Sequence, residues 1–204
     1  MSLSLEVQNF KTWADGYPVQ TRSAEWECHY ENWGRLHAAV LNFVEATPPA
    51  NWSATDVDNL LYAIARDNEL EYLVEQIAKT PDLLLQLSLL SVQSSESAAK
   101  WQLASWLAKL DAQHPRAEAI LLVLVDDKNE YVSRRALLAL GDLQSVKTEA
   151  LAERAWNTGQ EYQRIAALWA LKSVSSLKLD TYIAEAMEDG RKYLVHNAIQ
   201  VRSP

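Results

Sequence analysis

Cys28, His29 and His37 are the side chains best suited to holding a metal, and they are too few and too poorly spaced to do so. A zinc site takes three or four ligands from Cys, His and carboxylates. Cys28 is the single cysteine, and the adjacent His29 would point to a different side of any helix. The same adjacency argues against a Cys–His nucleophile, which needs a positioned base and a turn that lowers the thiol pKa. The expectation is a buried Cys28 beside a surface His29, with no metal and no cofactor. No glycine-rich phosphate loop, GxSxG elbow or HExxH pair occurs. Carboxylates are plentiful, but their spacing singles out no acid and base pair, and acids scattered over helix faces are normally solvated.

Two sets of side chains point to binding instead. From Glu45 to Asp82 eight acids face only Arg66 and Lys79, whereas the residues from Leu83 onward balance at fourteen acids and fourteen bases. Asp56, Asp58, Asp67, Glu69, Glu71 and Glu75 are the expected contacts of an acidic docking face for a protein with a basic surface. Asp67, Glu71 and Glu75 share one helical face if their helix begins at the turn. Such local acidity argues against nucleic acid as a ligand.

The second set is Tyr131, Tyr162 and Tyr193, which recur at intervals of 31 residues. At 100° per residue, Val132, Ala136, Ala139, Leu140 and Leu143 form a stripe centred roughly 120° from Tyr131, while Leu138 returns to within about 20° of it. Tyr131, Leu138, Tyr162, Trp169 and Tyr193 are therefore expected to form an aromatic, concave partner-binding face. Packing between repeats is the alternative reading of the same spacing.

The elements that must position these residues are helices. Apolar residues at helical spacing begin with Trp33, Leu36, Val40, Leu41 and Val44, and Pro48 and Pro49 end that helix. Ser53 or Thr55 caps the next with Asp56 or Asp58 three residues on, and it buries Val57, Leu60, Leu61 and Ile64. Leu70, Leu73, Val74 and Ile77 form the following helix, and Thr80-Pro81 opens a leucine-rich one from Leu83 to Leu90. Ala99, Leu103, Trp106, Leu107 and Leu110 repeat the pattern. His114 and Pro115 open a helix through Val125, and a turn at Asp126–Asn129 leads to a helix from Glu130 to Leu143. A shift of 31 residues lays Glu130, Tyr131, Ala136, Ala139 and Leu140 on Glu161, Tyr162, Ala167, Ala170 and Leu171. A helix–turn–helix period of this length is the mark of an α-solenoid, in which each pair needs a neighbour to cover its apolar face. Residues 1–52, with Trp13, Trp26, Trp33 and Trp52, are expected to cap the first pair. Arg202, near the last core position, reads as part of a polar closing repeat.

Composition agrees. The chain has 204 residues, 49% of them hydrophobic and 23% charged, with a net charge of −8 and five single glycines. That is an ordinary globular composition with little turn chemistry for a many-stranded sheet. The longest apolar run, Ala119–Val125, is far below the roughly 20 residues that cross a bilayer. The first ten residues lack a secretory pattern, and the single cysteine fits a reducing cytoplasm.

The stretch from Asp127 to Leu143 resembles the second helix of a HEAT repeat. That pattern runs turn acid, valine, arginine, alanine, alanine-leucine and a final leucine. Val132, Ala136, Ala139, Leu140 and Leu143 match it. Ser133 stands in the arginine place with Arg134 one position late, while in the next unit Arg164 is in place and Gln163 replaces the valine. The resemblance is good over about residues 95–204, looser over 53–94 and weak before. It implies an all-α, right-handed α-α superhelix of five to six stacked helical hairpins. It also implies no particular activity, because such stacks serve many purposes. The reading is a non-enzymatic, cytoplasmic protein-binding module. A more specific form is a small acidic inhibitor of the immunity-protein kind that neutralises a basic toxin. The alternative is an enzyme of the HEAT-like DNA-glycosylase or bilin-lyase type, which a basic groove or a bound chromophore would favour.

Overall fold

Breaks in the apolar periodicity fall where the backbone leaves its helices. A computed structural model describes residues 2–18, 22, 26–110 and 115–202. Among them are twelve α-helices and no strand: α1 (Leu3–Asp15), α2 (Trp33–Ala46), α3 (Ala54–Arg66), α4 (Tyr72–Ala78), α5 (Pro81–Ser91), α6 (Ser97–Leu107), α7 (Pro115–Leu124), α8 (Glu130–Asp142), α9 (Thr148–Asn157), α10 (Glu161–Ser173), α11 (Leu179–Asp189) and α12 (Lys192–Arg202). None of these helices is long and apolar enough to cross a membrane. Contacts gather the chain into two compact units, Met1–Leu103 and Ala104–Pro204. His114 lies outside the described residues.

In the first unit, Ser53 caps α3 as its sequence predicts. Its hydroxyl accepts from the Asp56 amide, and the Asp56 carboxylate accepts from the Ser53 amide at 2.9 Å. Fully buried Phe10 on α1 lies among the rings of Trp13, Trp26, Tyr30, Trp33 and Tyr62, with centroids 4.7 to 6.4 Å away. The N-terminal rings thus build a core between α1, α2 and α3. Trp52 is not part of it; its ring lies beside Phe43 and its indole donates to the Thr47 carbonyl. Leu70, expected in a helix core, is 72% exposed in the turn before α4.

The second unit is built from three helix pairs, α7/α8, α9/α10 and α11/α12, and the second helix of each pair packs against the next, α8 on α10 and α10 on α12. Val132, Ala136, Ala139, Leu140 and Leu143 are all buried, as are Ala167, Ala170 and Leu171 at the equivalent places of α10. The alanines let these helices approach closely. A Cβ on Gly141 would lie 3.2 Å from Ala170 Cα and 3.2 Å from Ser173 Cβ.

The 31-residue register extends to the turns. After α8 the backbone enters the left-handed region at Gln144 (φ 56°), and after α10 it does so at Ser175 (φ 51°). In both turns the next amide reaches back to a carbonyl five residues earlier, Ser145 to Leu140 and Ser176 to Leu171, each at 3.0 Å. This is the six-residue closure that satisfies carbonyls left open at a helix C-terminus. The two serines then act alike: Ser145 donates its hydroxyl to Glu118 and Ser176 donates to Glu149, both at 2.5 Å. Ser133 takes over the arginine's place physically, since its hydroxyl donates to the Val125 carbonyl at 2.8 Å where Arg164 Nε donates to the Trp156 carbonyl at 3.1 Å.

Candidate functional site

The acidic set of the first unit is dispersed. Asp67 is 4% exposed, which corrects its placement on a docking face. One of its oxygens accepts from the Leu73 amide at 2.7 Å and the other lies 3.3 Å from His37 Nε2. The amides at the start of α4 need an acceptor, and Asp67 supplies it. Glu71 precedes α4 in a left-handed conformation (φ 51°), so Asp67, Glu71 and Glu75 do not share one helical face. Asp56 is engaged in the α3 cap, whereas Asp58 and Glu75 are exposed.

Cys28, expected to be buried, is exposed and donates its thiol to the Glu69 carboxylate. Both line a cavity of about 150 Å³, together with Trp33 and Leu70. Arg66 on its wall pairs with Glu96 at 2.9 Å and lies over the Tyr62 ring. Burial pushes the Glu27 carboxyl above its ordinary value. No group of three or more His, Cys, Asp or Glu among the described residues is placed to hold a metal ion.

The tyrosine series is different, because its first two members meet at Arg134. Tyr131, Tyr162 and Tyr193 each occupy the second position of their helix, and they are 39%, 49% and 53% exposed. Leu138 and Trp169, seven residues on from Tyr131 and Tyr162, are half-buried along the same stripes. Between the first two tyrosines lies the guanidinium of Arg134, 4.7 Å from the Tyr131 ring and 4.9 Å from the Tyr162 ring. Its Nε is 3.3 Å from Glu130 Oε1, near enough for an ion pair but outside hydrogen-bond geometry. Further along, Trp169 donates its indole N–H to Asn197 at 2.8 Å, and Asn197 donates to the Tyr193 carbonyl, joining α10 to α12. Lys172 lies over the Trp169 ring and Lys192 over the Tyr193 ring, both at 5.6 Å.

Charge in this unit separates by helix. α8, α10 and α12 carry six Arg or Lys against Glu130, Asp142 and Glu161, while α7, α9 and α11 carry seven Asp or Glu against Arg116 and Arg154. The fourteen-to-fourteen balance of the C-terminal half conceals this, because both sets of helices are summed. The cation at Arg134 was legible as the misplaced arginine of the repeat, but only the fold shows that its displacement puts it between two tyrosines.

The carboxylates within this face have structural work. Glu161 Oε1 accepts from the amides of Tyr193 and Leu194 at 3.1 and 3.2 Å, closing the start of α12. Glu130 is held beside Arg134. Comparison with protein-family models, with curated proteins and with solved structures found no match.

Proposed function

We propose that this chain is a non-enzymatic protein-binding module whose second unit is a set of HEAT-type repeats, with the binding face on α8, α10 and α12. The single observation that carries it is the row of half-exposed tyrosines at one helical position in the second helix of three successive pairs, with Arg134 over the rings of two of them. Tyrosine and arginine, with tryptophan, are enriched among the residues that anchor interfaces, tyrosine through a large rigid ring and arginine through a planar fork of donors. The repeated turn hydrogen bonds at Ser145 and Ser176 support the repeat assignment, because they recur at the sequence period. The test is affinity capture from the source cells with the unaltered chain and with Tyr131→Ala/Tyr162→Ala. A protein retained by the first and lost from the second, with helical circular dichroism unchanged, is the expected result. Identical retention would remove this face from the account.

A second reading keeps the acidic surface, where Asp58 and Glu75 are exposed. There a basic partner, such as a toxin met by an immunity protein, would bind with an on-rate that falls with salt. Reversing Glu71 and Glu75 to lysine should then abolish capture.

The enzymatic alternative draws on the interleaved cations and aromatics of the second helices. The carboxylates of these helices are engaged, Glu161 at the start of α12, Glu130 beside Arg134 and Asp142 accepting from Ser173, which weighs against base chemistry there.

A further inference from the structure

We infer that the face of α8, α10 and α12 takes an extended acidic segment of a partner protein, with one carboxylate of that segment held by the guanidinium of Arg134. This rests on the reading of that face as the binding surface, and it adds the chemistry of the occupant.

Nε of Arg134 lies 3.3 Å from Glu130 Oε1 without a hydrogen bond and is sealed from solvent, so Glu130 leaves the guanidinium's hydrogen-bonding capacity unfilled. The guanidinium lies over both the Tyr131 and Tyr162 rings, which hold it in place, while the side chain keeps 20% of its exposure. A planar fork of N–H donors held in one orientation matches a carboxylate, which accepts two parallel hydrogen bonds from it. The side-chain ordering that normally opposes such a contact is already met by the fold. Arg135, Lys172 and Lys192 extend the positive character along the same three helices. Packed helices lie roughly 8–10 Å apart, so the three tyrosine rows span roughly 20 Å, the reach of about six extended residues. A nucleic acid would need a longer run of cations than Arg134, Arg135, Lys172 and Lys192 provide.

The probe is a blocked hexapeptide alternating glutamate and alanine, titrated into the full chain labelled for nuclear magnetic resonance at tyrosine rings and arginine Nε. Its glutamine counterpart serves as control. The expected result is a saturable shift at Tyr131, Tyr162 and Arg134 with the glutamate peptide and none with the control, weakened about tenfold by Arg134→Lys, which keeps the charge but loses the fork. An equal response to the glutamine peptide, or affinity unchanged in Arg134→Lys, would overturn the inference. Displacement of the peptide by a single-stranded oligonucleotide that binds more tightly would assign the face to nucleic acid and overturn it too. So would a dimer that dissociates in Arg134→Lys, because the occupant would then be the acidic stretch of a second copy. Should Tyr131→Ala/Tyr162→Ala lose a captured protein that the glutamate peptide fails to displace, this inference falls while the binding-face reading stands. Capture indifferent to both tyrosines removes both.

Discussion

Ser176 donates its hydroxyl to the Glu149 carboxylate at 2.5 Å, which ties the turn before α11 to the first helix of the preceding pair. Ser145 makes the same bond to Glu118, 31 residues earlier in both partners. A bond repeated in register holds one pair to the next, so it belongs to the repeat and not to a local accident of sequence. Ser145→Ala should lower stability by about 1 kcal/mol or more, since it takes that partner from Glu118, and Ser176→Ala by less, since Glu149 keeps Lys178 at 3.2 Å. Denaturant unfolding of the two variants measures this, and a loss is expected in both, larger for Ser145→Ala. A loss in one and none in the other would contradict the equivalence of the turns.

Gly141 tests the close approach of α8 to α10. In an open helix Gly→Ala gains up to about 1 kcal/mol. Here the new Cβ would sit 3.2 Å from the Ala170 backbone, and backbone cannot move aside as a flexible side chain can. Gly141→Ala should therefore destabilise by roughly 1–3 kcal/mol despite its better helix propensity. A shift of the unfolding midpoint to higher denaturant would show that α8 and α10 are not packed as closely as described.

Asp189 gives a pH dependence with a defined sign. Hydrogen bonding to Arg191, with Arg164 also 2.5 Å away, lowers its carboxyl from an ordinary 3.8 to about 2. A carboxyl whose folded pKa is depressed contributes stability that is present above the unfolded value and lost as pH falls through the folded one. The Asp189 contribution should thus be complete above about pH 4 and fade towards pH 2. Thermal melts of the unaltered chain and Asp189→Asn should differ most at pH 5 and converge near pH 2. Parallel melting curves across that range would show that the Arg164–Asp189–Arg191 clamp is not made.

Much of the helical order was legible in the residues. Val132, Ala136, Ala139, Leu140 and Leu143 predicted a buried stripe by spacing alone, and the offset of Tyr131 from that stripe predicted its exposure. Ser53 with Asp56 announced the α3 cap. The errors share one cause: a residue's part in a turn depends on which amides the turn leaves open. Asp67 looked like one acid among many until the start of α4 required an acceptor, and Leu70 looked like the first core residue of a helix that begins two positions later. Cys28 was read as a small apolar group, and its contact with Glu69, forty-one residues away, carries no local signal. The binding face was half legible. Periodicity located the tyrosines, while the separation of cations to the second helices is a property of faces that a sum along the chain erases.

The central claim is that the tyrosine rows of α8, α10 and α12 bind a protein. The most direct measurement is the affinity of the captured partner, by titration calorimetry, for the unaltered chain, for Tyr162→Ala and for Glu71→Lys/Glu75→Lys. Loss of a central interface aromatic commonly costs 2 kcal/mol or more, so Tyr162→Ala should weaken binding by about thirtyfold while the acidic-surface variant binds as before. Unchanged affinity in Tyr162→Ala, with binding abolished by the two charge reversals, would contradict the account and move the site to the acidic surface of the first unit.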